Sequence, residues 1–368
     1  MTERIETHKM TDPIGVDLAA LAGWIRATRP ELVGAGGLSG HMLQGGLSNL
    51  TYRIDGGSKP FVLRRPPLGH VLPTAHDMSR EYRVISGLAR SNVPVPEAIL
   101  FQDDQNNSAG VGTSFYLMEF VSGIVLAHRS ANKPFTAQQL RDLSFELIER
   151  LTWLHDADAA ALGLAELGRP EGFLVRQLQR WATQAGQSAS RELPDLERLR
   201  VALIAHIPST RLISLIHGDF RLDNAIVQIA PDGNPHIAAI LDWEMATIGD
   251  SLTDLGMLGL YWNIRDISPG AEISTNTAID PNAGYPNFDD LVEKYASLRG
   301  VEVANIGWYV AFAAFKLAVI LEGIHYRYTL GKTVGAGFDR IGESVEPLAR
   351  FGLGAITADL TLDSGNRR

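Results

Sequence analysis

The 368-residue chain contains no cysteine. This absence excludes disulfides, thiolate nucleophiles and zinc sites built on cysteine, and it fits a cytoplasmic protein. Basic residues are also few, because 33 Lys and Arg stand against 42 Asp and Glu, and the formal net charge is −9. No run of basic residues stands out, so nucleic acid is not an expected partner.

Segments that would insert into a membrane are missing from the sequence as well. The N-terminal residues MTERIETHKMTDP are polar and lack the apolar core of a signal peptide. The most apolar later stretch, residues 308–321, is interrupted by Lys316 and is shorter than a bilayer span. We therefore expect no signal peptide, no transmembrane helix and no membrane partner.

What the chain does contain is the composition of an ordinary globular protein. Hydrophobic residues make up 45% of it and charged residues 20%, which is far from the composition of disordered chains. Because 368 residues exceed the length of a typical single domain, we expect two lobes with a site in the cleft between them.

Short apolar runs separated by turn residues predict a small antiparallel sheet in the first third of the chain, and two helical periods accompany it. The predicted strands span residues 39–43, 50–54, 61–63, 98–102 and 114–120, and the predicted helices span 17–28 and 77–91. After Gly123 the pattern changes to long helical periods. These cover 137–155, 173–187, 194–207, 288–298 and 307–329, with short β-like segments at 212–216, 225–228 and 237–241, and residues 361–368 are expected to be loose.

The polar motifs cluster around these later β-like segments. Residues 216–224 read Ile-His-Gly-Asp-Phe-Arg-Leu-Asp-Asn, and residues 240–244 read Ile-Leu-Asp-Trp-Glu. Asn224 follows Asp219 by five residues, and Asp242 follows Asn224 by eighteen. Carboxylate and amide oxygens of this kind are suited to a hard cation such as Mg²⁺.

Phosphoryl transfer requires this set of groups. One carboxylate must orient and deprotonate the attacking hydroxyl, while an amide and a second carboxylate hold Mg²⁺ beside the phosphates. The catalytic loop of protein kinases has the same interval between its Asp and its Asn. The alternative is that the acids are turn formers or helix caps, which Asp and Asn favour through local hydrogen bonds, but it leaves the joint spacing unexplained.

With its H-G-D-x-x-x-x-N loop and its I-L-D-W acid, the chain resembles the aminoglycoside phosphotransferase and choline kinase-like superfamily. The resemblance implies an α+β, protein-kinase-like bilobal fold. Residues 1–120 would form the nucleotide-binding lobe, with a leading helix, a five-stranded sheet and one central helix. Residues 121–368 would form the helical lobe that carries the catalytic loop and the substrate site.

The same resemblance implies transfer of the ATP γ-phosphoryl group to a hydroxyl of a small molecule, with ATP and Mg²⁺ as cofactors. Asp219 would be the base, and Asn224 and Asp242 the metal ligands. Arg64 stands at the position of the kinase lysine, and Glu81 is its natural partner. The implied nucleotide contacts are Gly45, Gly46, Ser48 and Asn49 over the phosphates, Val62, Arg64 and Glu81, and the hinge residues Glu119 and Val121, which contact adenine through the backbone.

More narrowly, four tracts are similar to the phosphotransferase domains associated with acyl-CoA dehydrogenases. They are FVLRRPP, AHDMSREYRVISGL, LMEFVSG and DWEMATIGDSLTDLG. This similarity implies a hydroxyacyl-CoA-type substrate and a partner in an acyl-CoA dehydrogenase pathway, and it does not extend to aminoglycoside resistance. No motif in the helical part identifies the acceptor, and none indicates an oligomeric state.

Several roles and two further functions stay open at this level. His217 would hold the loop through a backbone hydrogen bond or contact the substrate, and Arg221 would meet a substrate anion or pair with a nearby acid. Asp250 and Asp254 are expected to cap a helix and brace the catalytic loop. Because Arg64 replaces lysine, a nucleotide-binding pseudokinase or regulatory partner of an acyl-CoA dehydrogenase is the main alternative, and a metal-dependent hydrolase is another.

Overall fold

The chain folds into two compact units. In the computed structural model, residues 13–34, 36–43, 49–68, 77–188, 190–267, 277–331 and 338–365 are described. The first unit contains Met1–Arg90 and Val95–Ser122, and the second contains Ser91–Pro94 and Gly123–Arg368.

The first unit is built on a five-stranded antiparallel sheet with strand order β1-β2-β3-β5-β4. Its strands are β1 (Ser39–Met42), β2 (Leu50–Asp55), β3 (Phe61–Arg65), β4 (Ala98–Gln102) and β5 (Phe115–Glu119), and its helices are α1 (Leu18–Thr28) and α2 (Met78–Leu88). The predicted sheet with its leading and central helices is thereby confirmed.

Local chemistry explains where these helices begin and which faces they bury. Asp17 and Asp77 cap α1 and α2, because their carboxylates accept the N–H groups of Ala20 and Arg80. The apolar stripe of α1 then packs with the sheet in one core, which includes the edge-to-face contact of the Trp24 and Phe115 rings. In the centre of the sheet, all five residues of β3 are buried.

The second unit is mainly helical, as predicted. Its helices are α3 (Ala137–His155), α4 (Phe173–Gln187), α5 (Pro194–Ala205), α6 (Leu252–Ile267), α7 (Phe288–Arg299), α8 (Ile306–Thr329) and α9 (Val345–Gly365). Its strands are β6 (Ile124–Val125), β7 (Ile213–Ile216), β8 (Ala225–Ile229), β9 (Pro235–Ile240) and β10 (Thr247–Asp250). They form a two-stranded sheet of β7 and β10 and a three-stranded sheet in the order β6-β8-β9.

Two helices of this unit, α6 and α9, were not predicted from the sequence. Each contains glycines, which lower helix propensity. In α6, however, a Cβ on Gly256 would lie 2.5 Å from the backbone of Tyr309, so glycine there permits close packing on α8. The expectation of a loose tail is wrong for residues 361–365, since α9 continues to Gly365.

The length of α8 differs from the length expected from the sequence. The apolar stretch appears too short for a membrane span in the sequence, but α8 has 24 residues and is long and apolar enough to cross a membrane by length and composition alone. In this structure 89% of its apolar window is buried inside the protein. Its hydrophobicity is thus accounted for by packing against neighbouring helices, and Lys316 and Glu322 lie buried within it.

Candidate active site

The candidate catalytic loop follows β7 directly. His217, Gly218 and Asp219 leave the strand in a turn that requires glycine in the middle. Gly218 has φ +84°, and a Cβ at this residue would lie 2.7 Å from the carbonyl oxygen of Met245. The segments that carry Asp219 and Asp242 therefore touch at Gly218.

His217 is fully buried, and both of its ring nitrogens are used inside the loop. Nε2 donates to the carbonyl oxygen of Leu241 at 2.8 Å, and Nδ1 accepts the N–H of Asp219 at 3.2 Å. The ring also lies 4.5 Å from that of Trp243, measured between centroids. Of the two roles open for His217, these contacts favour the one that holds the loop.

Asp254, in the first turn of α6, braces the same loop from behind, as expected from the sequence. Its carboxylate accepts the backbone N–H groups of His217 and Gly218, each at 2.7 Å, and it lies 3.2 Å from Nε2 of His155. Burial by itself raises the pKa of the Asp254 carboxyl, but the hydrogen bonds from His155 and the loop outweigh it and hold that pKa below its usual range. Asp250 likewise accepts the N–H of Leu252 at the start of α6.

Replacing Asp254 by asparagine should destabilise the protein by about 2 kcal/mol, because charge-assisted hydrogen bonds to two backbone donors are weakened. Since the folded-state pKa of Asp254 lies below the unfolded one, this stabilisation is present above about pH 4 and is lost as the pH falls through the folded-state value. Thermal unfolding from pH 3 to pH 7 measures both effects. Equal melting temperatures for the two proteins at pH 7 would contradict the bracing role.

The side chains of Asp219 and Asn224 are neighbours. The amide nitrogen of Asn224 donates to the Asp219 carbonyl oxygen at 2.9 Å and lies 3.3 Å from its carboxylate Oδ2. Because the nitrogen is the donor in both contacts, the amide oxygen is the atom of Asn224 suited to a cation. This pair lies in a single short turn between β7 and β8.

Asp242 reaches the same place from the end of β9. The N–H of Leu241, the preceding residue, donates to the carbonyl oxygen of Asn224 at 2.8 Å. Asp242 itself has φ +66° and ψ +60°, a left-handed conformation that is uncommon outside glycine and that Asp and Asn tolerate best.

Asn224 and Asp242, the two predicted ligands, carry oxygen atoms of the kind that Mg²⁺ binds, although the described residues contain no group of three or more His, Cys, Asp or Glu placed to hold a metal. Mg²⁺ in phosphoryl-transfer sites takes one or two carboxylates and completes its shell with phosphate oxygens and water. Asn224 and Asp242 supply one amide and one carboxylate, which suits a metal that arrives with a nucleotide.

Arg221 is occupied by protein groups. Its guanidinium lies 3.4 Å from the Asp219 carboxylate and 3.2 Å from that of Asp223, and it stacks over the ring of Tyr261 at 4.6 Å. Burial raises the pKa of the Asp223 carboxyl, and Arg221 offsets only part of this effect. The structure therefore favours pairing with acids over contact with a substrate anion for Arg221.

Lys316 contacts this loop, although no sequence motif indicates it and in the sequence it stands out only as a break in an apolar stretch. It lies on α8, about a hundred residues beyond the loop, and its Nζ donates to the carbonyl oxygen of Gly218 at 2.6 Å. A single lysine within the apolar residues 308–321 is the signal in the sequence that could have indicated it.

The first unit carries the predicted nucleotide-contacting residues. Arg64 on β3 and Glu81 on α2 form the expected ion pair, with 3.1 Å between Nη1 and Oε1 and side chains only 9% and 2% exposed. Val62 is buried on the same face of β3 as Arg64, two residues earlier.

The remaining predicted contacts are distributed around the sheet. Asn49 is buried just before β2, Glu119 is the exposed last residue of β5, and Val121 follows it. Because β3 pairs with β5, Glu119 lies opposite Phe61, at the start of the strand that carries Arg64. Gly45, Gly46 and Ser48 lie outside the described residues.

Breaking the buried pair in the first unit should cost far more stability than breaking an exposed one. Glu81→Gln leaves the Arg64 guanidinium without its carboxylate, and we expect a loss of about 3–5 kcal/mol in urea unfolding. The matched control is Asp55→Asn, which breaks the half-exposed pair Arg53–Asp55 in the same unit and should cost less than about 1 kcal/mol. Similar losses in both variants would contradict a structural role for the buried pair.

Comparisons with known proteins agree with this geometry. The model of the phosphotransferase enzyme family matches residues 40–286. Acyl-CoA dehydrogenase family member 11 from Rattus norvegicus is 33% identical over 311 residues, which cover 84% of this chain and 39% of that protein. The chain thus spans about two fifths of the length of this curated relative.

Solved structures lead to the same family. A protein from Ralstonia eutropha, provisionally named an aminoglycoside phosphotransferase, is 30% identical and superposes with a TM-score of 0.76, covering 93% of this chain and 98% of that one. Spectinomycin phosphotransferase, solved with ADP and spectinomycin, shares the fold at 13% identity, with a TM-score of 0.59 and coverage of 92% and 98%. The predicted kinase-like fold is confirmed, and the chain belongs to the phosphotransferase enzyme family.

Proposed function

We propose that this protein transfers the γ-phosphoryl group of ATP to a hydroxyl group of a small metabolite. The observation that carries the proposal is the arrangement around Asn224, whose amide adjoins the Asp219 carboxylate and whose carbonyl oxygen is bonded to the residue before Asp242. A base and two cation ligands so placed meet the needs of phosphoryl transfer.

In this proposal each residue has one task. Asp219 accepts the proton of the acceptor hydroxyl while the hydroxyl oxygen attacks the γ-phosphorus of ATP, and ADP leaves. Asn224 and Asp242 hold Mg²⁺, which when bound neutralises charge on the phosphates. Arg64, which is paired with Glu81, steadies the phosphates.

The favoured acceptor class is a hydroxyacyl-CoA-type metabolite. The proposal is supported by the relative named acyl-CoA dehydrogenase family member 11, of which this chain matches only part. It implies that the protein acts in the same pathway as an acyl-CoA dehydrogenase. We propose a cytoplasmic location, which the absence of cysteine fits. An aminoglycoside acceptor is not proposed, although several structural relatives carry that name.

An ATP-consumption screen tests the proposal directly. Purified protein is assayed with Mg²⁺ and ATP against hydroxyacyl-CoAs, aminoglycosides, choline and sugars, and each assay is repeated with Asp219→Asn. We expect consumption with a hydroxyacyl-CoA that disappears in the variant. If ATP is consumed only with another acceptor, and this consumption is lost in Asp219→Asn, the protein is still a kinase but its acceptor belongs to a different class.

Two other outcomes would replace the proposal. A thermal shift with Mg²⁺ and ATP but no transfer to any acceptor would favour the nucleotide-binding pseudokinase, for which Arg64 in place of lysine is the motivating observation. Release of phosphate from phosphorylated compounds without ATP would instead indicate a metal-dependent hydrolase.

A further inference from the structure

The second unit contains a buried ammonium group that forms no ion pair with a carboxylate among the described residues. Lys316 is only 6% exposed, and none of the ion pairs in the described ranges of the chain involves it. Its Nζ donates to the Gly218 carbonyl oxygen at 2.6 Å, lies 3.4 Å from Sδ of Met245 and stands 5.7 Å from the centroid of the Trp181 ring. The ammonium group thus has three N–H donors, and among these contacts the Gly218 carbonyl oxygen is the one strong acceptor.

Such a group costs stability. A charge taken out of water without a carboxylate partner is compensated poorly by a single carbonyl oxygen and a thioether. Burial lowers the pKa of Lys316, while the negative charges of Asp219 and Asp254 act in the opposite direction. An apolar side chain of the same length would serve the packing of α8 better, so packing does not explain the lysine.

The two atoms that Lys316 contacts belong to the two segments that carry the site. Gly218 directly precedes Asp219, and Met245 ends the short 3₁₀ helix that begins after Asp242. These segments already touch, because the space where a Cβ of Gly218 would lie is filled by Met245. Lys316, on α8, therefore contacts both segments close to the point where they meet.

We propose that Lys316 is a positioning residue that clamps the Asp219 segment against the Asp242 segment. Its effect on turnover rests on the proposed function, since a base and a metal ligand must keep a fixed separation for phosphoryl transfer. A displacement of about 1 Å in such a site lowers turnover by about 10²-fold.

Lys316→Met tests the clamp, because methionine is unbranched, favours helices and removes only the ammonium donor. We expect kcat to fall by about 10²-fold while KM for ATP stays within about twofold. We expect the melting temperature to stay equal or rise, because the buried charge is gone. A lysine that served only the fold would give the opposite pattern, with a lower melting temperature and unchanged kcat.

Hydrogen exchange gives a readout that does not depend on activity. In Lys316→Met the amides of residues 217–219 and 244–246 should exchange about tenfold faster, while those of the α8 interior keep the wild-type rate. The control is Glu322→Gln on the same helix, which breaks the buried pair with Arg191 at 2.6 Å. This control should lower the melting temperature and leave kcat and the exchange of both segments unchanged.

Wild-type exchange of both segments in Lys316→Met would overturn the clamp, and so would wild-type kcat. If the wild-type protein transfers phosphate to no acceptor, the proposed function fails by itself. The exchange rates still decide the clamp in that case, so the two failures are distinguishable.

Discussion

Asp219→Asn is expected to lower kcat by about 10³-fold and to leave the binding of Mg²⁺ and ATP at the wild-type level. The substitution removes the carboxylate proposed as the base, and general-base catalysis contributes about 10²–10⁴-fold. An amide oxygen can still accept from Asn224, so the loop should keep its geometry. Initial rates with the acceptor found in the screen, together with calorimetric titration of ATP, measure both parts.

The control for Asp219→Asn is the same chemical change at an exposed site of the same unit. Asp232 lies in the turn between β8 and β9, where its carboxylate accepts the N–H of Asn234. Asp232→Asn should leave kcat within about twofold of the wild type. Retention of full turnover in Asp219→Asn, with transfer still dependent on ATP, would remove Asp219 from the role of base.

Asp242→Asn should abolish the Mg²⁺-dependent part of nucleotide binding and lower turnover by about 10³-fold or more. The carboxylate supplies the one full negative charge that the two predicted ligands offer the cation. Asparagine is a cleaner substitution than alanine here, because it tolerates the left-handed backbone of residue 242, whereas alanine would add about 1–2 kcal/mol of strain.

Thermal unfolding with and without ligand measures the loss at Asp242. At a ligand concentration about 100 times Kd, Mg²⁺ and ATP should stabilise the wild-type protein by about 2.7 kcal/mol, and this gain should vanish in Asp242→Asn. Asp219→Asn, run in parallel, should keep the gain. Equal stabilisation of both variants would mean that residue 242 does not hold the metal.

These two variants separate the base from the metal ligand, although the two acids are linked through one asparagine. Asn224 contacts the Asp219 carboxylate with its side chain and the residue before Asp242 with its backbone. Because the sites are coupled, the double variant should lose less than the sum of the two single losses in activation free energy.

Much of the fold could be predicted from the sequence, wherever one face of an element is apolar. The helices α2 and α3 have such a face and a capping residue in front, and their predicted ranges agree with the structure within a few residues. The helix α6 was harder to predict because it is buried on several sides and contains glycines that resemble helix breakers. Gly256 is explained only by the close approach of Tyr309 on α8, and Gly259 only by the Phe288 ring on α7.

The candidate site could likewise be predicted only in part. Residues 217–224 and 242 could be found because phosphoryl transfer imposes a spacing on groups that are close in the chain. Whether His217 and Arg221 face a substrate or the protein could not be predicted, because the answer depends on Leu241 and Tyr261, which approach from other segments.

By itself the sequence determined the family and the kinase-like fold, and it supplied the residues proposed as base and metal ligands, since these depend on local spacing and composition. Only the tertiary structure decided which groups hold those residues in place. Lys316, which the sequence motifs do not indicate, contacts the loop at Gly218 from α8, and the bracing expected of Asp254 consists of hydrogen bonds from the N–H groups of His217 and Gly218. The physical reason is that hydrogen bonds and burial depend on distances in space, and chain folding brings together residues that are far apart in the sequence.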